Sequence, residues 1–312
     1  MFMHDEITRY LCCPHDGKDL DIRDDGVACR GCGRKYPLIN GVLSMMPDDF
    51  VLAGDRTAEL KRIEQNTRDQ QAEVYLNWFG PYTNAMEYDF ITGYLRPRSD
   101  DVLADLGSGI GRYTVPLSSL CKGIIAVDYS LTSLFIMKRE MERRGITNIY
   151  PIQADLCRLP LRAATFDKIV CSQVLTFLPG EESRNTACKM MDEILKPEGR
   201  MVLTVFNNHL YRKIKRLKGI EGVCQKEGTH PIHHFYYFNF NRWDLSSLLS
   251  ANKFRVEEVI GVNNFPRERV MGHEIKGFTM VVYTVDKLIS RTPLSYLLGD
   301  LLLASVSKDA NK

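Results

Sequence analysis

The stretch "VLADLGSGIGRYTVPLSSL", residues 102–120, constrains this chain more than any other. It begins as a short, fully apolar strand, passes through three glycines spaced two apart, and resumes with the apolar spacing of a helix. Glycine permits a tight strand-to-helix turn and lets a ligand approach the main chain with no Cβ in the way. Asp105, Gly107, Ser108, Gly109 and Gly111 therefore mark a candidate ligand turn. A glycine turn alone also fits plain packing, so its surroundings decide its meaning.

Those surroundings alternate. "DVLADL", "GIIAVD", "DKIVCSQ" and "RMVLTVF" are short apolar runs rich in β-branched residues, separated by longer helical patterns. Strands buried on both faces read this way, which predicts an α/β fold with a doubly wound, mostly parallel sheet. "RVEEVIGV" and the closing "LLLASVSK" add two further strands, with a helix over "FTMVVYTVDKLIS" between them. Asp128 ends the strand after the glycine turn, where an acid can accept both hydroxyls of a ribose. Asp155 follows the next strand at the same edge of the sheet.

Taken in order, "DLGSGIG", "VDYS", "ADLCRLPLRAATFDKIVCSQVLTFL" and "LKPEGRMVLTV" resemble the class I S-adenosylmethionine-dependent methyltransferases of the type 11 group, over about residues 75–308. The resemblance implies a seven-stranded sheet whose last strand is antiparallel. It assigns the Gly107–Gly111 turn to the methionine part of S-adenosylmethionine, with Asp105 beneath it. Asp128, with Tyr129 beside it, falls to the ribose, and Asp155 with Leu156 to the adenine. Ser172 and Gln173 then line the methyl-transfer side. A dinucleotide-dependent dehydrogenase fits less well: Arg112 and Tyr113 follow Gly111, so the GxGxxG fingerprint is not completed, and "ADLCRLP" and "LKPEGR" find no role.

A general base is needed only where the acceptor must lose a proton. Thr176 and Phe177 stand where related small-molecule enzymes carry a base, so the candidates move to "GTHPIHHFYYFNFNRWDL", with His233 and His234 foremost. The segment "HLYRKIKRLKGI", residues 209–220, places Leu210, Ile214 and Leu217 on one helical face among five basic residues. Such a helix suits an anionic or membrane-associated acceptor, and less readily RNA.

The chain has nine cysteines, four of them within the first 32 residues. "LCCPHDGKDL" and "CRGCGRKYPLINGVLSMMP" resemble the zinc ribbon of a methyltransferase-activator subunit. The match places Zn2+ on Cys13, Asp16, Cys29 and Cys32. A shift of one residue gives Cys12 and His15 as the first pair instead, and both frames remain open at this level. A third arrangement keeps the ribbon without metal, through strand pairing in "YPLINGVL".

The expected organisation is a ribbon-like module over residues 1–47, a helical linker and lid over 48–97, and the methyltransferase domain over 98–312 with a substrate-side insertion at about 207–238. A net charge of +2 does not mark a dedicated nucleic-acid binder. No apolar run reaches the length of a membrane span. The amino terminus lacks a secretory pattern, and the unpaired cysteine count suits a reducing, cytoplasmic setting. The leading expectation is an enzyme that methylates a small molecule, lipid-like, quinone-like or polyketide-like. An RNA base methyltransferase and a non-catalytic adaptor that keeps the fold are the alternatives.

Overall fold

The apolar runs become neighbouring strands of one sheet in the computed structural model, which describes residues 5–46, 55–74, 81–217, 225–264 and 276–309. Helix α1 (Asp5–Thr8) precedes β1 (Leu20–Arg23), β2 (Gly26–Cys29), β3 (Lys35–Ile39) and β4 (Val42–Ser44). Helices α2 (Arg56–Gln71) and α3 (Pro81–Leu95) lead to β5 (Val102–Leu106), α4 (Thr114–Leu117), β6 (Gly123–Asp128), α5 (Leu131–Arg144) and β7 (Ile149–Gln153). Next come β8 (Phe166–Ser172), α6 (Gly180–Ile194), β9 (Leu195–Phe206), α7 (Leu210–Leu217), β10 (Glu227–Thr229) and β11 (Tyr236–Phe238). The chain closes with α8 (Arg242–Ala251), β12 (Phe254–Val262), α9 (Lys276–Ser290), α10 (Ser295–Leu298) and β13 (Leu301–Lys308).

The strand order is β1-β2-β3-β4-β7-β6-β5-β8-β9-β13-β12, with β10 and β11 paired apart. From β7 to β9 neighbours run parallel, and β13 is antiparallel to both β9 and β12. The seven strands expected are all present in that order. Every residue of β5 and β6 is buried, as helices on both faces require. Helix α5 starts where the Ser130 side chain accepts the backbone N–H of Ser133, and stops at Gly145 in the left-handed region.

The amino-terminal strands continue this sheet. β4 runs parallel to β7, with Leu43 opposite Ile152 and Ser44 opposite Gln153, so the β7 edge is covered. The "YPLINGVL" pairing exists as the β3–β4 hairpin. A second tie joins the first turn to the loop before β8: Cys12 N–H donates to Pro160 O, Arg162 N–H to Tyr10 O, and the Arg162 guanidinium meets Asp19 at 2.7 Å. Leu11 is fully buried there, in the same core as Phe166 and Ile152.

Because that core is shared, Leu11→Ala should cost about 2–5 kcal/mol of global stability. Calorimetry should show one unfolding transition moved down in temperature. A separate early transition with the main one unmoved would show that the amino-terminal strands unfold independently.

Candidate active site at the carboxyl ends of the parallel strands

The topological switch between β5 and β8 opens a cleft at the carboxyl ends of the strands. It encloses about 1040 Å³ of open space, its mouth included. Gly107, Ser108, Gly109, Asp128, Tyr129, Asp155, Leu156, Ser172 and Gln173 all line it, so residues named from three separate sequence motifs converge. Gly107 and Ser108 both donate backbone N–H to Val127 O, at 2.7 and 3.0 Å. Asp128 accepts Gly109 N–H and Ser130 N–H, each at 2.8 Å.

Two of the glycines do different work. A methyl group on Gly107 would lie 2.1 Å from Cγ2 of Val174, so this position is closed by packing. Gly109, at φ 53°, has nothing within 4 Å of where its Cβ would be, and faces open space. Gly111 and Asp105 are not among the lining residues. Asp105 lies beneath the turn, where its carboxylate accepts the Thr114 hydroxyl at 2.5 Å. Burial pushes the Asp105 carboxyl up to about 7. Gln173, a non-glycine residue at φ 61°, sits in the sparsely populated left-handed region at the cleft wall.

Helix α2 supplies residues that motif reading missed. Gln65 donates to Tyr129 O at 2.7 Å, and Asp69 accepts the Ser130 hydroxyl at 2.7 Å, which fastens the helix over β6. Lys61 meets the Asp155 carboxylate at 2.7 Å. Glu64 is 2% exposed; one of its oxygens accepts from Arg68 at 2.6 Å, while Oε2 has no partner among the described residues. Burial raises the pKa of Glu64, and of Asp128 across the cleft. A signal was available: Leu60, Glu64, Thr67 and Gln71 share one buried helical face, and three of the four are polar.

Glu87 on α3 was also missed. Its buried carboxylate accepts from Arg112 at 2.7 Å, Asn263 at 2.6 Å, Gln173 at 3.4 Å and the Tyr113 hydroxyl. Arg112, Tyr113 and Gln173 line the cleft, so this network forms its wall on the β8 side. Burial, reinforced by the charge of Glu87, raises the Tyr113 pKa well above its ordinary value.

His233 and His234 are not brought to the cleft. Both are exposed at the turn between β10 and β11, which closes through His234 N–H to His230 O at 2.8 Å. His230 stacks on Phe235 at 4.8 Å, and Phe235 meets the cleft residue Phe177 edge-on at 5.6 Å. An aromatic layer thus separates these imidazoles from the cavity. Residues 75–80 of the expected linker and lid, and residues 218–220 of the basic segment, lie outside the described residues.

At the amino terminus, one ligand atom from each of Cys13, Asp16, Cys29 and Cys32 lies within 4.8 Å of the others. The alternative frame fails, because Cys12 and His15 are not part of this cluster. The reason lies in two matching turns. His15 N–H points at Cys13 Sγ and Gly31 N–H at Cys29 Sγ, and Gly17 and Gly33 close back on Cys13 O and Cys29 O. "CPHDG" and "CRGCG" both place glycine four residues after the first ligand, a spacing that selects Cys13 and Asp16. Zn–S bonds of ~2.3 Å give a tetrahedron edge of about 3.8 Å, against 3.7 Å between Cys13 and Cys32 sulfurs. The donor set therefore fits a tetrahedral zinc ion. Burial pushes the Cys29 thiol up to about 11, so metal binding must displace its proton.

Comparison with known proteins adds the chemistry. The methyltransferase-domain family profile matches residues 104–203, from β5 into β9. A ubiquinone biosynthesis O-methyltransferase of Xylella fastidiosa (strain 9a5c) is 25% identical over 216 residues, 66% of this chain and 85% of that protein. A ubiquinone/menaquinone biosynthesis C-methyltransferase of Wigglesworthia glossinidia brevipalpis is 26% identical over 179 residues, 53% of this chain and 70% of that one. The solved structure of the PH0226 protein from Pyrococcus horikoshii OT3 shares the fold, with a TM-score of 0.51 at 15% identity, covering 73% of this chain and 91% of that one.

Two measurements follow. The purified protein should carry about one zinc ion per chain by elemental analysis, and Cys29→Ser should lose it together with several degrees of Tm; full stability without metal would show that the ribbon stands alone. For Asp105, the folded pKa lies above the unfolded value of about 4. Its stabilising contribution is therefore complete below pH ~4 and is lost as pH rises through about 7. Asp105→Asn does not titrate, so urea unfolding should show the variant gaining stability relative to wild type across that window. A difference independent of pH would refute the assignment.

Proposed function

We propose that this chain, an S-adenosylmethionine-dependent methyltransferase with the class I fold, methylates a small, largely apolar acceptor at a hydroxyl or an acidic carbon. The observation that carries the reading is the cleft lining, in which Ile110, Val174, Phe177 and Leu178 share the space with Tyr113, whose hydroxyl donates to Glu87. The relatives named above, which serve ubiquinone and menaquinone biosynthesis, support the same acceptor class.

The cleft suits the cofactor on its own polar atoms. The Ser108 hydroxyl and Glu64 Oε2 are buried in its lining without partners among the described residues, and Gly109 leaves main chain open beside them. In this reading the Gly107–Gly111 turn holds the amino-acid part and Asp128 the ribose, with Tyr129 beside it. Asp155 and Leu156 flank the adenine, while Ser172 and Gln173 border the methyl group. When bound, S-adenosylmethionine supplies an activated methyl group on a sulfonium. What the protein must add is position and a path for one proton. Holding the nucleophile about 3–3.5 Å from its target in line with the bond to be broken accounts for much of the acceleration.

Tyr113 provides the proton path. Its hydroxyl donates to Glu87, so the acceptor's proton can pass to the Tyr113 oxygen as the phenol's own proton moves to the carboxylate. Arg112, Asn263 and Gln173 fix Glu87 in place. The cysteine-bearing module acts structurally on the same site. Ser44 on β4 donates to Gln153 at 2.7 Å, and Gln153 donates to Tyr129 O at 3.0 Å, which braces the adenosine end of the cleft.

Tyr113→Phe should lower kcat by about 10²–10⁴ with a weakly acidic phenolic acceptor. The loss should shrink as the acceptor becomes more acidic, with calorimetric affinity for S-adenosylmethionine changing less than about threefold. Equal losses across acceptors of different acidity would rule out the proton path. Methyl transfer to tRNA or rRNA but to no phenol or quinol would overturn the small-molecule reading.

A further inference from the structure

The basic segment after β9 carries a surface that the reaction does not use. On α7, Leu210, Ile214 and Leu217 fall on one helical face and are 46%, 39% and 84% exposed. Trp243, at the start of α8, is 68% exposed, and Leu294 and Leu297 at α10 are each 49% exposed. These groups belong to one region. α7 packs on α10, and Asn207 just before α7 donates to Tyr296 O and Gly299 O, at 3.0 and 2.8 Å. The Arg242 guanidinium lies 4.5 Å from both the Trp243 and Tyr296 rings. Lys213 is exposed on α7, and Arg291 in the turn that leads into α10. The acids nearby are already engaged: Asp300 pairs with Arg212 and His209, and Asp244 with Lys226.

We propose that α7, the start of α8 and α10 form a docking surface for an anionic lipid bilayer. Leucines with an exposed tryptophan suit the boundary between headgroups and acyl chains, and surrounding cations suit anionic headgroups. A second copy of the same surface would bring like charges together. RNA phosphates would engage the cations but give no use to an apolar face this exposed. Among the described residues no helix is long and apolar enough to cross a membrane, so contact is with the bilayer surface. The surface also borders the acceptor side of the cleft. Phe206, the last residue of β9, meets the cleft residue Phe177 edge-on at 5.5 Å, and its N–H donates to Thr176. Delivery of acceptor from the bilayer rests on the proposed apolar substrate; docking itself does not.

Full-length protein should sediment with vesicles of phosphatidylcholine and phosphatidylglycerol, and much less with phosphatidylcholine alone. Leu217→Glu combined with Trp243→Ala should weaken that binding at least about tenfold. Lys213→Glu should weaken it through charge alone. Unchanged Tm and unchanged calorimetric affinity for S-adenosylmethionine would show that the variants are folded with an intact cleft. No sedimentation of wild type with anionic vesicles, or equal sedimentation of the double variant, would overturn the proposal. So would RNA binding that these variants abolish in a protein that ignores vesicles. Turnover of a water-soluble phenol by the double variant would separate lost docking from a wrong acceptor class.

Discussion

The Asp128 carboxylate holds the site together. One oxygen takes the N–H of Gly109 and the other the N–H of Ser130. The first bond fixes the glycine turn that leaves β5, and the second fixes the residue whose side chain starts α5. A single buried acid at the end of β6 thus sets the turn, the helix and the floor of the cleft. Its burial is unfavourable to its charge, as is that of Glu64 facing the same space. A ligand that donates hydrogen bonds to both relieves this cost, so binding and folding are coupled through the same two carboxylates.

The parallel core was legible because each motif names a strand end, and parallel strands bring their ends to one edge. That is why Gly107, Asp128, Asp155 and Ser172 converge without any knowledge of contacts. Residues that act from outside the strand ends were not legible in the same way. Lys61 meets Asp155 across 94 positions, and Glu87 meets Asn263 across 176. Only the polar stripe on α2 hinted at this, since a buried helical face with three polar residues needs a polar partner. The histidines failed for the opposite reason. Their chemistry suited a base, but their type said nothing of where a hairpin turn would put them. At the amino terminus, ligand type left the Cys12–His15 and Cys13–Asp16 frames both open, whereas the placement of Gly17 and Gly33 favoured Cys13 and Asp16. Turn geometry prevailed because a ligand pair must be held by the backbone before its donor types matter.

The strand order also divides the work of the site along one line. The cysteine-bearing hairpins attach at β7, beyond β6, on the side that carries Asp128, Tyr129 and Asp155. α7 follows β9 on the other side of the β5–β8 switch, where Phe206 at the end of β9 meets Phe177. Support from the amino-terminal edge therefore reaches the cleft at its Asp128–Asp155 end, through Ser44, Gln153 and Tyr129. The exposed apolar surface reaches it from the opposite end, through Phe206 and Phe177. Helix α2 spans both sides of the cleft, with Lys61 on the Asp155 carboxylate and the Arg68 guanidinium 4.4 Å from the Phe177 ring. The two edges differ in chemistry, one gathering the side chains of Cys13, Asp16, Cys29 and Cys32, the other exposing leucines and Trp243, with the glycine turn between them.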